Sequence, residues 1–314
     1  MTQQLAIIIS PEARGAYFHS FIKVAREELR LIHPDLDGEH RAYGGLDVLI
    51  VNASEEMASE LVRLSFCQAV FRIGPQGWLP LAESLSLAIP RDYIFGSKFK
   101  GKTNERLTQM MLNVALALVK KPKPKVLDPM CGRGTSLLWA MAYGLECRGV
   151  EQDSKALGDV QQIVKKWNTV HDTGLKFRNG SVGKKSKQGQ GRFFEVTHDE
   201  TRLKMVIGDS QQANHLLQGE KFDVILADLP YGVQHFSGQK TRNPLGALEA
   251  SASAWGQLAN EGAALSLAFN QSITRKDAVV DLFEGNGWQS VPCTASHRMS
   301  ESIVRDLVFF IKGA

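Results

Sequence analysis

From residue 122 onward, strand-like apolar runs alternate with helix-spaced ones, and few folds accept that alternation. The expected strands are 125–128, 147–151, 204–207, 222–227 and 263–268, with helices near 134–144, 154–168, 211–217 and 245–260 between them. A helix near 274–284 then leads into two last strands, 288–292 and 303–312, whose short connection suggests an antiparallel pair. The pattern predicts an α/β, Rossmann-like sheet, mostly parallel, with helices on both faces. In such sheets ligands sit at the carboxyl ends of the strands, so the residues there deserve the closest reading.

The first strand runs into Asp128-Pro129-Met130-Cys131-Gly132-Arg133-Gly134-Thr135-Ser136. Gly132 and Gly134 remove side chains where a ligand must approach the backbone, and the helix that follows offers free amide donors. Leu137 stands where a dinucleotide loop would need its third glycine, which disfavours a nucleotide-dependent oxidoreductase. The G-x-x-x-x-G-K-[ST] phosphate loop is absent too. An acid at the strand end, Asp128, suits a ligand with a positive end, such as the ammonium of a methionine moiety.

The second strand ends Gly149-Val150-Glu151-Gln152-Asp153, and Glu151 has the length to reach both hydroxyls of a ribose. Asp209 and Ser210 follow the third strand; Asp209 can accept from an adenine amino group, or simply cap the next helix. The fourth strand ends Asp228-Leu229-Pro230-Tyr231-Gly232. An exocyclic amine on a base is a poor nucleophile, because its lone pair is delocalised into the ring. Asp228 can accept one of its N–H groups and the Leu229 carbonyl the other. Pro230 fixes its own φ and biases Leu229 toward an extended conformation, and Tyr231 offers a ring on which a base can stack.

Together these residues resemble the class I methyltransferases, and within them the UPF0020 (TrmN-like) RNA methyltransferases, whose known members make N2-methylguanosine. The resemblance covers 97–314 and includes Gly96 to Leu107, similar to the segment that helps enclose the cofactor's methionine end. It implies a seven-stranded sheet with its last pair antiparallel, preceded by a small α+β domain. It implies S-adenosylmethionine as cofactor, held by Thr103, Asp128, Pro129, Cys131, Gly132, Gly134, Thr135, Glu151, Gln152, Asp209, Ser210 and Asp228. Asp228, Leu229, Pro230 and Tyr231 would carry catalysis on tRNA or rRNA, with no metal. Leu229 departs from the commoner first proline, and no convincing THUMP RNA-binding domain is identifiable. Methylation of adenine N6 in DNA or of a protein glutamine stays open, as does a non-catalytic nucleic-acid-binding module. So does a need for an activating partner subunit.

Residues 1–90 read as the small α+β domain, a candidate for substrate binding, and 91–314 as the methyltransferase domain. In the former, 5–10, 46–51 and 66–73 read as strands and 11–31 and 55–65 as helices. The expected polar face of the first helix carries Lys23, Arg26, Glu27, Glu28 and Arg30. Cys67, Cys131, Cys147 and Cys293 form no C-x-x-C pair, so no zinc cluster is expected. The net charge of +4 is compatible with a nucleic-acid partner. Lys98, Lys100, Lys102, Arg106, Lys184, Lys185 and Lys187 are the candidate RNA contacts. With no apolar run near the roughly 18 residues of a membrane helix and no secretory h-region, the expectation is a cytoplasmic protein without membrane contact.

Overall fold

A computed structural model describes residues 2–11, 18–82, 85–97, 104–183, 190–229, 244–298 and 304–313. The chain divides into two compact units, Met1–Ser86 with Cys293–Arg305, and Leu87–Pro292 with Asp306–Ala314.

The first unit contains β1 (Gln3–Ile9), α1 (Phe18–Ile32), β2 (Glu39–Tyr43), β3 (Leu46–Ala53), α2 (Ala58–Leu61), β4 (Cys67–Gly74) and β5 (Gly77–Ala82). Its sheet order is β2-β3-β1-β4-β5, with antiparallel neighbours throughout. The central strand β1 is buried on both faces: Leu5, Ile7 and Ile9 meet Ile22, Ala25 and Leu29 of α1, while Ala6 and Ile8 pack with Val48 and Ile50 on the other side. That explains a continuous apolar run instead of an alternating one. Glu27 and Glu28 do not belong to the exposed face of α1 expected for them. Glu28 is fully buried and accepts from the Ser65 amide and hydroxyl at 2.9 and 2.5 Å. Glu27 accepts from Arg30 and from the Thr294 amide, the latter at 2.6 Å. This last bond helps explain why 293–305 group with the first unit and not with the domain expected over 91–314.

The second unit continues with α3 (Asp92–Phe95), α4 (Glu105–Val119), β6 (Val126–Asp128), α5 (Thr135–Ala142), β7 (Cys147–Glu151), α6 (Ser154–His171), β8 (Lys176–Ser181), β9 (Arg192–His198) and β10 (Thr201–Ile207). Next come α7 (Ala213–Leu216), β11 (Phe222–Asp228), α8 (Pro244–Leu258), β12 (Ala259–Asn270), α9 (Lys276–Glu284) and β13 (Trp288–Val291). The short β14 (Ser296–Arg298) falls in the first unit, and β15 (Val304–Lys312) closes the chain.

The order across the second sheet is β13-β15-β12-β11-β6-β7-β10-β9-β8. Strands β10, β7, β6, β11 and β12 are mutually parallel, so their carboxyl ends share one edge. The order reverses between β6 and β11, which opens the crevice where such sheets bind ligands. At the far end β13 and β15 pair antiparallel. The sheet exceeds the seven strands expected, because the β8–β9 hairpin adds antiparallel to the β10 edge. Among the described residues, no helix is long and apolar enough to cross a membrane.

Asp223 ties the amino ends of three strands together. Its buried carboxylate accepts from the Lys125 amide at 2.9 Å, Asn260 Nδ2 at 2.7 Å and Lys121 Nζ at 2.9 Å. Burial pushes this carboxyl up, but those bonds outweigh it and hold the group below the usual carboxylate range. The Lys125 amide contributes most, followed by Lys121, whose half-exposed ammonium is screened by solvent, and by Asn260. Asp223→Ala is expected to lower unfolding free energy in denaturant melts by about 2–4 kcal/mol at neutral pH. A depressed carboxyl stabilises above its unfolded pKa and loses that contribution as pH falls, so the deficit should narrow below about pH 4.

Candidate active site

The parallel register sets which strand-end side chains share a face. Val126 pairs with Val224, Asp128 with Gly149, Glu151 with Ile207, and Asp228 with Ala268. Counting in twos along each strand, Asp128, Glu151, Asp228 and Asn270 lie on one face at the carboxyl edge. Four adjacent strands thus bring three carboxylates and an amide together from residues up to 142 positions apart.

The glycine turn is held from both sides by these acids. Gly132 and Gly134 have φ of +50° and +73°, a backbone region that penalises any other L residue. A β-carbon on Gly132 would meet nothing within 4 Å, so this glycine faces open space where a ligand can approach. Its amide donates to Glu151 Oε2 at 2.8 Å, while Glu151 Oε1 accepts from the Asp153 amide at 2.7 Å. Asp128 Oδ1 accepts from the Met130 amide at 3.0 Å, and Asp128 Oδ2 accepts from the Ser136 hydroxyl in the first turn of α5. Cys131 completes the turn: its amide donates to Val150 O at 3.0 Å and its carbonyl accepts from Gly134 at 2.7 Å. The thiol is buried and pushed well above its ordinary pKa, chiefly by burial, so it stays protonated.

Asp128 is 5% exposed. Burial pushes its carboxyl up to about 7, against the bonds from Ser136 and Met130, and the charges of Asp228 and Glu151 push the same way. A cation arriving beside it would reverse that balance.

The other expected residues fall into groups. Pro129 and Thr135 are buried within the turn and the start of α5, and Gln152 is exposed just past β7. Asp209 realises the capping role, its Oδ1 accepting from the Gln211 amide at 2.9 Å, and its second oxygen remains for a ligand. Ser210 is buried with its hydroxyl 3.5 Å from that of Ser251 in α8, which draws it into helix packing. Leu229 is buried, and its amide donates to Ala268 O at 2.8 Å, which continues the β11–β12 ladder past Asp228. Thr103, Pro230 and Tyr231 lie outside the described residues, as do Lys98, Lys100, Lys102, Lys184, Lys185 and Lys187. Arg106 stacks its guanidinium 5.2 Å from the Phe95 ring centroid, an anchoring contact at the head of α4. Two residues escaped the sequence reading. Ser136 lies two positions past the second glycine. Asn270 ends β12, is 9% exposed, and its Oδ1 accepts from the Ser272 amide at 3.1 Å. A polar residue closing the largely apolar run 263–269 was the available signal for Asn270.

A family model described as UPF0020, RMKL-like methyltransferase domain, matches residues 97–279. The chain belongs to this family. It is an S-adenosylmethionine-dependent methyltransferase with a class I Rossmann-like sheet. No curated protein matches it in sequence. Among solved structures it is similar to TrmN from Thermus thermophilus, at 14% identity and TM-score 0.47, covering 88% of this chain and 60% of that one. It therefore spans less than two thirds of that relative's length. It is also similar to magnesium protoporphyrin IX methyltransferase (ChlM) from Synechocystis PCC 6803 with bound SAM, at 16% identity and TM-score 0.44, covering 71% and 89%. An rRNA methylase from Streptococcus thermophilus is 14% identical with TM-score 0.37, covering 63% and 92%.

The residues present fit the cofactor. Gly132 leaves space for it, Asp128 suits its ammonium, and Glu151 and Asp209 suit its ribose and adenine hydrogens. Each carboxylate oxygen now bonded to an amide or hydroxyl keeps another acceptor site. If Asp128 receives the ammonium, only its ionised form does so, and binding releases the proton held below about pH 7. Calorimetric affinity for S-adenosylmethionine should therefore rise with pH, by up to about tenfold per unit below neutrality, and level off above about pH 7. An affinity flat across that range would contradict this placement of the ammonium.

Proposed function

We propose that the chain methylates the exocyclic amino nitrogen of a base in RNA, with guanine N2 in tRNA or rRNA as the acceptor that its resemblance to the TrmN-like enzymes implies. The observation that carries this reading is the placement of Asp228. It ends β11 on the same face as Asp128 and Glu151, one strand from the glycine turn, with Leu229 held rigidly behind it. S-adenosylmethionine, when bound, supplies a methyl group on an already activated sulfonium. Asp228 and the Leu229 carbonyl accept the two N–H groups of the amine, which fixes the nitrogen and directs its lone pair along the attack line. Alignment of this kind supplies most of the acceleration. The nitrogen becomes acidic only as the new N–C bond forms, and Asp228 is placed to take the released proton, so it need not be a strong base beforehand. A base within a helix would have to be flipped out to reach this edge.

The distribution of charge supports a polyanionic substrate. The first unit carries nine Lys and Arg against twelve Asp and Glu, the second 28 against 21. Three stretches, 98–103, 184–189 and 230–243, hold eight of those cations and no acid, which covers the whole excess of the second unit. RNA contact is therefore assigned to the second unit, and binding should weaken steeply with salt.

The test is tritiated-methyl transfer to total RNA from cells lacking the enzyme, followed by nucleoside analysis. The expected product is N2-methylguanosine. Asp228→Ala should reduce turnover by about 100-fold or more while cofactor affinity changes little. Label in DNA or protein, or full activity in Asp228→Ala, would overturn the reading.

A further inference from the structure

The acid of the glycine turn sits in surroundings that work against its charge. Asp128 is almost wholly buried, and four titratable groups lie around it: Asp228 from β11, Glu151 and the Cys147 thiol from β7, and the Cys131 thiol from the turn itself. The two carboxylates oppose a further negative charge, and the buried thiols, which stay protonated, offer no charge to offset it. Two donors counter this, the Met130 amide on Oδ1 and the Ser136 hydroxyl on Oδ2. The amide belongs to the backbone of the turn and is present whatever the sequence. The hydroxyl is a side-chain contribution, itself buried at 5% exposure, and it comes from α5, the element that fixes the far side of the turn. A hydrogen bond to a charged oxygen favours the ionised form by about tenfold or more.

From this geometry we propose that Ser136 is a positioning residue that keeps Asp128 ionised and aligned, and so sets the pH range over which the enzyme can hold the ammonium end of its cofactor. This rests on the reading that Asp128 receives that ammonium. The hydroxyl need not touch the cofactor. It acts through the carboxylate, by stabilising the anion before the cation arrives and by fixing Oδ2 so that the remaining acceptor sites face the turn. Without it, a buried carboxyl beside two other acids would keep its proton to higher pH, and binding would have to expel that proton.

The proposal is tested by calorimetric titration of S-adenosylmethionine into the wild-type protein, Ser136→Ala, Ser136→Thr and Asp128→Asn at about pH 6, 7 and 8. A one-unit upward shift of the carboxyl predicts that Ser136→Ala binds about tenfold more weakly than wild type at pH 6 and within about threefold at pH 8. Ser136→Thr, which keeps a hydroxyl, should follow the wild-type profile. Asp128→Asn should lose the pH dependence, or lose measurable binding altogether. If Ser136→Ala weakens binding by the same factor at every pH, or not at all, the hydroxyl only packs the turn and the inference fails. If Asp128→Asn keeps the wild-type affinity and pH profile, the ammonium reading itself fails, and the inference falls with it. The two failures are therefore distinguishable, and retained binding at pH 8 shows that Ser136→Ala has folded.

Discussion

The hydrogen bonds between the strand-end carboxylates and the glycine turn are the interactions on which the rest of the site depends. Gly132 and Gly134 let the chain reverse tightly, but glycine also gives the unfolded chain more freedom than any other residue. Something must restrict the turn once it is made. Glu151 does so from the neighbouring strand by accepting the Gly132 amide, and Asp128 does so from below through Met130 and Ser136. The same carboxylates keep acceptor sites that suit a methionine ammonium and a ribose diol. A turn already formed by groups suited to the ligand reduces what binding must order.

The two edges of the sheet treat charge in opposite ways. At the amino edge, acids meet cations: Arg148 bonds Glu146 and Glu220, Lys125 reaches the same two acids, and Lys121 reaches Asp223. Those charges cancel locally and serve to fasten strands. At the carboxyl edge, Asp128, Glu151, Asp153 and Asp209 accept bonds from neutral amides and a hydroxyl. Neutral donors fix a carboxylate without cancelling its charge. Burial, with the charges of Asp228 and Glu151 behind it, therefore still raises the Asp128 carboxyl against its two donors. A cationic ligand relieves it, whereas a pyrophosphate would aggravate it, and so the site suits a sulfonium amino acid better than a dinucleotide.

Much of this was legible in the sequence wherever one residue does one local job. Strands β6, β7, β10, β11, β12, β13 and β15, the glycine turn and the acids after β6, β7, β10 and β11 all declare themselves, because buried strands are apolar and their ends are not. What escaped depends on partners far along the chain. The polar face expected of α1 loses Glu27 and Glu28 to donors at Thr294 and Ser65, which no helical periodicity can reveal. Helix α4 packs on β11, β12 and α5 and buries polar Thr108, Gln109 and Asn113 along with its apolar residues, so its polar positions do not mark an outer face. Strands β2 and β5 carry many exposed residues, which erases the alternation that would mark them. Ser136 and Asn270 look like ordinary polar residues until the register and the first turn of α5 place them beside the acids.

One carboxyl edge is expected to hold cofactor and acceptor together, and a crystal structure with bound S-adenosylhomocysteine would show whether it does. The amino group of the ligand should lie beside Asp128 and Gly132, its ribose hydroxyls on Glu151 and its adenine beside Asp209. The sulfur should then point toward Asp228, across the gap between β6 and β11. A ligand bound elsewhere on the sheet, or one whose sulfur points away from Asp228, would contradict it.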